Sequence, residues 1–167
     1  MVAFGREVGQ KEDMDRQQHL DLGTIARTII DTNFYMTLGT ADENGRPWVS
    51  PVYYAHQGYA NFYWVSSPEA THSRNLVRRP EVSIVMFDSR TPVGSGQGVY
   101  ISAVAEELMG ADLDRGIVIF SRRSESHGAG EWNVEDVSQP ARHRLYRATA
   151  SEHWVLGPQD RRMPVSV

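Results

Sequence analysis

The residues with the clearest chemical potential lie where a predicted strand is followed by a predicted helix. Ser66 and Ser67 end the segment NFYWVSS, and His72 and Arg74 follow within two helical turns. Free backbone amides at a helix start attract anions, and a guanidinium binds phosphate oxygens through paired hydrogen bonds. The spacing therefore predicts an anion site. In the alternative interpretation, Ser67 only caps the helix and both basic side chains are solvated.

A glycine-rich segment, GSGQG at residues 94–98, is the second candidate. Its backbone amides could approach a ligand closely, and the Gln97 amide offers both a donor and an acceptor. The segment is not a Walker loop, which needs Gly-Lys-Ser/Thr. It is not a dinucleotide fingerprint either, since a strand rather than a helix follows it. The alternative is a hairpin connection that binds no ligand.

The residue inventory disfavours three further kinds of site. The chain has no cysteine, which excludes thiol nucleophiles, disulfides and cysteine-ligated metals. Its six histidines include no pair at helical metal-ligand spacing, so we expect no metal site. No Gly-x-Ser-x-Gly segment is present to supply a nucleophilic serine.

Composition and charge limit the remaining classes of function. The chain of 167 residues carries 17 basic and 21 acidic side chains, and this net charge of −4 disfavours a nucleic-acid partner. Lys11 is the only lysine, so an anion site in the domain must use arginine, histidine or backbone amides. No apolar run is long enough to cross a membrane, and we expect a cytoplasmic protein.

The pattern of apolar residues predicts a polar lead over residues 1–21 and one domain over residues 22–167. Asn44-Gly45 predicts a tight hairpin, and Pro51 predicts either an edge of the sheet or a bulge in its strand. The fold class is mainly β, a six-stranded antiparallel barrel with inserted helices. The predicted strands span residues 34–40, 48–56, 59–66, 81–87, 99–108 and 144–156, and the predicted helices span residues 24–33, 67–79 and 112–123.

These segments, in this order, resemble one known family. After a first helix come FYMTLGTADENGRPWVSPVYY, NFYWVSSPEATHSRNLVRRPEVSIVMFD and GQGVYISAVAEEL. They are similar to the flavin-binding split-barrel proteins related to pyridoxamine 5′-phosphate oxidase, closely over residues 25–108 and more loosely over residues 144–162. The resemblance implies a homodimer that holds FMN at the subunit interface. It also implies an FMN-dependent oxidoreductase that acts on a small organic substrate, with hydride transfer through flavin N5.

The resemblance implies which residues hold the cofactor. The second strand lies along the flavin ring and ribityl chain in this family, the third strand and next helix hold the phosphate, and C-terminal residues close over the flavin. The implied cofactor-binding residues are Ser50, Val52, Tyr53, Trp64, Val65, Ser66, Ser67, His72, Arg74, Gln97 (or a neighbour), Trp154 and Arg162. Tyr54 and Arg161 are substrate-side candidates. No catalytic side chain is assigned, because the flavin carries the chemistry.

Two departures from the family pattern bear on substrate and cofactor. His72 stands where the oxidases carry a phosphate-binding lysine, which leaves more of the phosphate to Arg74 and the helix amides. The segment QDRRMP lacks the histidine of the family's Arg-Leu-His-x-Arg segment, which disfavours oxidation of pyridoxamine phosphate. Other proteins of this fold bind the deazaflavin F420 or haem. An F420-dependent reductase and a non-catalytic flavin- or haem-binding protein are therefore the alternatives.

Overall fold

The computed structural model of the chain describes residues 22–167, so the polar lead predicted over residues 1–21 lies outside the described residues. Within this range the protein folds into eight strands and three α-helices. The strands are β1 (Tyr35–Ala41), β2 (Pro47–Tyr53), β3 (Ala55–Gln57), β4 (Asn61–Ser66), β5 (Glu81–Phe87), β6 (Gly98–Glu107), β7 (Arg144–Leu156) and β8 (Arg162–Pro164). The helices are α1 over residues 22–32, α2 (Thr71–Arg78) and α3 (Gly110–Ser126), and 3₁₀ turns lie at Val134–Val137 and Pro158–Asp160.

The strands form one antiparallel sheet in the order β2-β1-β5-β6-β7-β4-β3, with β8 paired to β7. The two ends of this order are neighbours in the chain, because only Tyr54 separates β2 from β3. One continuous segment therefore pairs with β1 through β2 and with β4 through β3. This change of partner at Tyr54 curls the sheet into a split barrel.

The core lies inside the curled sheet because side chains alternate between its two faces along each strand. In β1, Met36 and Leu38 point inward and are fully buried, whereas Tyr35 points outward and is 60% exposed. Tyr54 is also fully buried, and its hydroxyl donates to the Ile30 carbonyl of α1. That hydrogen bond ties α1 to the point where the sheet changes partner.

One part of the outer surface of the sheet is covered by α3, which packs on β3, β4 and β7. Tyr63 and Leu145 point outward from the sheet and are buried beneath this helix. Gly116 permits the close approach, since a Cβ atom there would lie 2.8 Å from Leu108 Cδ1 and 3.2 Å from Tyr63 Cε1. The outer surface of β2, β1, β5 and β6 has no such cover among the described residues.

The predicted mainly β, antiparallel barrel is confirmed, and the predicted sixth strand coincides with β7. Pro51 lies in β2, at one end of the strand order, as its missing N–H predicts. The single strand predicted over residues 48–56 is wrong, because pairing breaks at Tyr54. The sequence also does not predict β8. None of the described helices has the length and apolar character needed to cross a membrane.

Candidate functional site

His72, the second residue of α2, lies between two serine hydroxyls that come from different strands. Its Nε2 is 2.8 Å from the Oγ of Ser66, the last residue of β4. Its Nδ1 is 3.1 Å from the Oγ of Ser50 in β2. The Ser50 Oγ also accepts a hydrogen bond of 3.1 Å from the indole N–H of Trp48. One imidazole ring thus joins β2, β4 and α2.

Burial determines the charge of this imidazole. The His72 side chain is buried, and desolvation lowers its pKa below the ordinary value for histidine. His72 is therefore neutral at pH 7, and both of its ring nitrogens already have a hydroxyl partner. This corrects the expectation of a partial cation facing a phosphate: the ring instead holds two hydroxyls in place.

The start of α2 differs from the prediction that Ser67 caps the helix. The N-cap residue is Ala70, which has no side-chain hydrogen bond, and the helix begins at Thr71. The Ser67 Oγ accepts from the backbone N–H of Glu69 at 3.1 Å, so Ser67 stabilises the preceding turn. Arg74 is exposed, and its guanidinium donates to the Glu69 carbonyl. We call Ser50, Ser66, His72 and Arg74 the α2 group.

Two predicted site residues lie in the core instead of facing a ligand. Tyr54 is fully buried with its hydroxyl bonded to α1, so its prediction as a substrate-side residue is wrong. Trp64 is also fully buried and stacks on Tyr146 with ring centroids 5.5 Å apart, so its side chain cannot contact a cofactor. Val52 is buried in the main core, which leaves only its backbone for a ligand, and Val65 is partly buried and packs towards α3.

A second group of predicted site residues lies on β6, β7 and β8. Tyr100 pairs with Trp154, and the Arg162 guanidinium lies 3.8 Å from the centroid of the Tyr100 ring, a cation–π contact. Arg162 rather than Arg161 makes this contact. Gln97 is exposed and immediately precedes β6. We call Tyr100, Trp154 and Arg162 the β6 group; the sequence analysis missed Tyr100, although its place in an alternating strand marks it as outward-facing.

Tyr53, the last residue of β2, points to the outer surface and contacts a histidine that the sequence analysis did not single out. Its hydroxyl is 2.9 Å from Nδ1 of His127, and its ring packs edge-on against Phe120. Burial raises the pKa of Tyr53 and lowers that of His127, so both side chains are neutral at pH 7. His127 lies 74 residues further along the chain, and no local pattern indicates a contact over that separation.

Two half-buried histidines have structural contacts. His56 Nε2 is 3.1 Å from a carboxylate oxygen of Asp31, and His153 Nε2 is 2.9 Å from the carbonyl oxygen of Tyr59. Burial lowers the pKa of both histidines. Among residues 22–167, no cluster of three or more histidine, aspartate or glutamate side chains could hold a metal ion.

The α2 group and the β6 group do not meet within one chain. Strands β1 and β5 lie between β2 and β6 in the sheet. Counted along the curled sheet at about 4.8 Å per strand, β2 and β6 are about 14 Å apart. On the adjacent strands β4 and β7, Ser66 pairs with Arg144, and Trp154 lies about 33 Å further along β7 at about 3.3 Å per residue. Ser50 faces α2, whereas Tyr100 points to the outer surface. One chain alone therefore does not place a single ligand in contact with both groups.

The outer surface of β2, β1, β5 and β6 is rich in exposed apolar side chains, which we call the outer apolar face. Two grooves flank it: one of about 430 Å³ includes Phe34 and Phe87, and one of about 540 Å³ includes Val49 and Val104. An apolar surface of this kind marks an interaction site more often than a free surface. The face consists of Tyr35, Val49, Val85, Phe87, Tyr100 and Val104.

Comparison with known sequences decides the family. A sequence model of the family described as pyridoxamine 5′-phosphate oxidase matches residues 25–156, which is most of the chain and includes the whole α2 group. The chain belongs to the pyridoxamine 5′-phosphate oxidase family. The family predicted from the sequence is therefore confirmed. No curated protein matches the chain.

Solved structures of the pyridoxamine 5′-phosphate oxidase-like fold are similar to this chain over most of its length. The haem storage protein HutZ from Vibrio cholerae has a TM-score of 0.65 at 22% identity, covering 80% of this chain and 94% of that one. An FAD-binding protein from Mesorhizobium loti has a TM-score of 0.57 at 20% identity, covering 79% and 91%. An F420 reductase has a TM-score of 0.56 at 15% identity, covering 75% and 93%. At these identities the likeness shows the fold alone.

Proposed function

We propose that the protein is an FMN-dependent oxidoreductase that acts on a small organic substrate. The α2 group carries the proposal, because His72 joins two half-buried serine hydroxyls and the exposed Arg74 guanidinium contacts the turn that follows Ser66. Hydroxyl and guanidinium donors are the groups that bind a phosphate monoester. Family membership supports a flavin phosphate as the ligand, and the proteins similar in fold include an FAD-binding protein and an F420 reductase.

The residues present fit FMN at this position. Ser66 and Arg74 would hold the phosphate, and the backbone of β2 beside Val52 would lie along the rest of the cofactor. His72 forms hydrogen bonds with the two serines and none with the ligand in this arrangement. Each serine hydroxyl keeps hydrogen-bonding capacity for the ligand. When bound, the flavin supplies hydride transfer. The residues of the chain itself would bind the flavin and orient it.

A homodimer completes the site in this proposal. The α2 group and the β6 group are separated within one chain, and the outer apolar face lies between them on the uncovered side of the sheet. A second copy on this face would bury its apolar side chains, as large stable interfaces do, and bring its own Trp154 and Arg162 to the cofactor. Sedimentation at micromolar concentration should give a dimer, and a monomer would contradict this arrangement.

Pyridoxamine phosphate is not the substrate that we propose. The segment after β7 lacks the histidine that the oxidases use there, and its Arg162 is engaged with the Tyr100 ring. The proposed substrate is instead a small organic molecule that a bound flavin would reduce or oxidise.

The visible spectrum of the purified protein tests the cofactor. We expect an FMN band at about 450 nm, whereas F420 absorbs at about 420 nm and haem gives a Soret band. A deazaflavin or Soret band without FMN would overturn the proposal.

Ser66→Ala should reduce the amount of bound FMN. Ser126→Ala is the matched control, because Ser126 is an exposed serine on α3. Anaerobic NADPH should bleach the flavin, and a flavin that stays oxidised would indicate a storage protein.

A further inference from the structure

The hydrogen-bonded series Ser50–His72–Ser66 has few protons to donate. A neutral imidazole carries one N–H and one acceptor nitrogen, and each serine has one O–H and two lone pairs. Both ring nitrogens contact a serine Oγ, so one serine must donate to His72 and the other must accept from it. Ser50 additionally accepts from Trp48. The position of a single proton therefore fixes the roles of both hydroxyls.

The two tautomers give opposite binding properties. With the proton on Nδ1, Ser50 accepts from both Trp48 and His72, so its O–H is left to donate to a ligand. Ser66 then donates its own O–H to Nε2, so it can only accept a hydrogen bond from a ligand. With the proton on Nε2, Ser66 accepts from His72 and its O–H is left to donate to a ligand. Ser50 then donates to Nδ1 and keeps one lone pair to accept a ligand proton.

The surroundings favour one of these arrangements. Ser66 adjoins the turn at Ser67, whose hydroxyl accepts from the Glu69 N–H, and the Glu69 carbonyl accepts from Arg74. The Arg74 cation thus contacts the turn that directly follows Ser66, whereas Ser50 lies on β2. An anion drawn to Arg74 offers only acceptors, so it needs Ser66 as a donor.

We propose that His72 is a positioning residue that carries its proton on Nε2 in the ligand-bound protein, so that Ser66 donates to an anion while Ser50 accepts from a ligand hydroxyl. The inference rests on the proposed phosphate site and names its ligand class. The complementary ligand has a phosphate at one end and, further along, a hydroxyl donor, as a phosphorylated polyol chain has; the two serine oxygens that would contact these groups are separated by the imidazole ring and two hydrogen bonds of 2.8 and 3.1 Å. His72 selects for this pattern without touching the ligand.

Two His72 variants separate a hydrogen-bonding role from a packing role. A glutamine places its amide N–H where Nε2 lies, so His72→Gln should keep the preference for FMN over riboflavin within about threefold of the wild type. His72→Leu removes the bond that orients Ser66 and should lower that preference by about 10- to 150-fold if the Ser66 hydrogen bond to the phosphate is lost with it. Dissociation constants from flavin fluorescence give the ratios.

Two outcomes with these variants would overturn the inference. They are a leucine variant that keeps the wild-type preference, or a glutamine variant as impaired as leucine. Thermal unfolding of each variant shows whether it is folded. If the wild type binds no FMN, the proposed function fails, and the inference is then decided by the next measurement, which uses no flavin.

Nitrogen NMR of histidine-labelled wild-type protein reads the tautomer directly. Inorganic phosphate is the probe, at pH 7.5. We expect the His72 signals to move on adding phosphate and to end with the proton on Nε2. A proton on Nδ1, protons on both nitrogens, or signals that phosphate does not move would each contradict the inference, whatever the result with FMN.

Discussion

At the scale of single residues, Arg74 gives the most direct test of the phosphate contact. It lies one turn into α2, is exposed, and spends one N–H group on the Glu69 carbonyl. Because hydrogen bonds to a charged group are worth about 1.5–3 kcal/mol, Arg74→Ala should weaken FMN binding by about 10- to 150-fold. Titration with FMN and with riboflavin measures the effect, and riboflavin binding should hardly change since it has no phosphate.

Arg122→Ala is the matched control for this prediction, since Arg122 is an exposed arginine on α3, which packs on β3, β4 and β7. It should leave both dissociation constants unchanged. Equal affinity of wild type and Arg74→Ala for FMN would place the phosphate elsewhere.

The contrast between Arg74 and His72 shows what residue types can predict. A serine pair followed by histidine and arginine indicates an anion site from the sequence, and the structure joins Ser66 to His72 and places the Arg74 guanidinium against the carbonyl of Glu69 in the turn between them. The neutrality of His72 could not be predicted, because it depends on burial. Its second partner, Ser50, lies 22 residues away on another strand.

At the scale of elements, the strands were predictable and their partners were not. Alternation of apolar residues marks β5 and β7, because one face of each strand is buried. The same alternation continues through Tyr54, so it gives no sign that pairing passes there from β1 to β4. Only the closure of the sheet decides that, and closure depends on residues far apart in the chain.

The contact between α3 and the sheet gives a prediction at the same scale. Gly116→Val should lower the free energy of unfolding by about 1–3 kcal/mol, because the added atoms have no room between Leu108, Leu145 and Tyr63. Urea unfolding followed by circular dichroism measures the change. Val118→Ala, at an exposed position on the same helix, should change the stability by less than about 0.5 kcal/mol. A valine variant as stable as the wild type would show that α3 can move away from the sheet.

At the scale of the whole molecule, buried histidines make stability depend on pH. Burial lowers the pKa of His56, His72 and His153 below the value near 6.5 that they have when unfolded. The unfolded chain therefore binds more protons in this range, so the stability present above pH 6.5 is lost as pH falls towards the folded pKa values. We expect the melting temperature to fall by several degrees between pH 7.5 and pH 5.5.

His153→Gln is the control for this prediction. Glutamine can donate to the Tyr59 carbonyl as His153 does, but it does not titrate. The variant should therefore lose less of its melting temperature on acidification than the wild type. A wild-type melting temperature that is constant across this pH range would contradict the assignment of these histidines as buried neutral groups.

The position of β7 in the sheet also constrains how the chain is made. β7 pairs with β4, β6 and β8, so both β4 and β6 keep an open edge until β7 has been synthesised. Elongation at about 5–20 residues per second puts about 2–10 s between the end of β6 and the end of β7. During that interval the nascent chain presents unpaired strand edges, which are templates for pairing with other chains. Translation speed through α3 and the loop after it therefore sets how long each new molecule is exposed to misassembly on the ribosome.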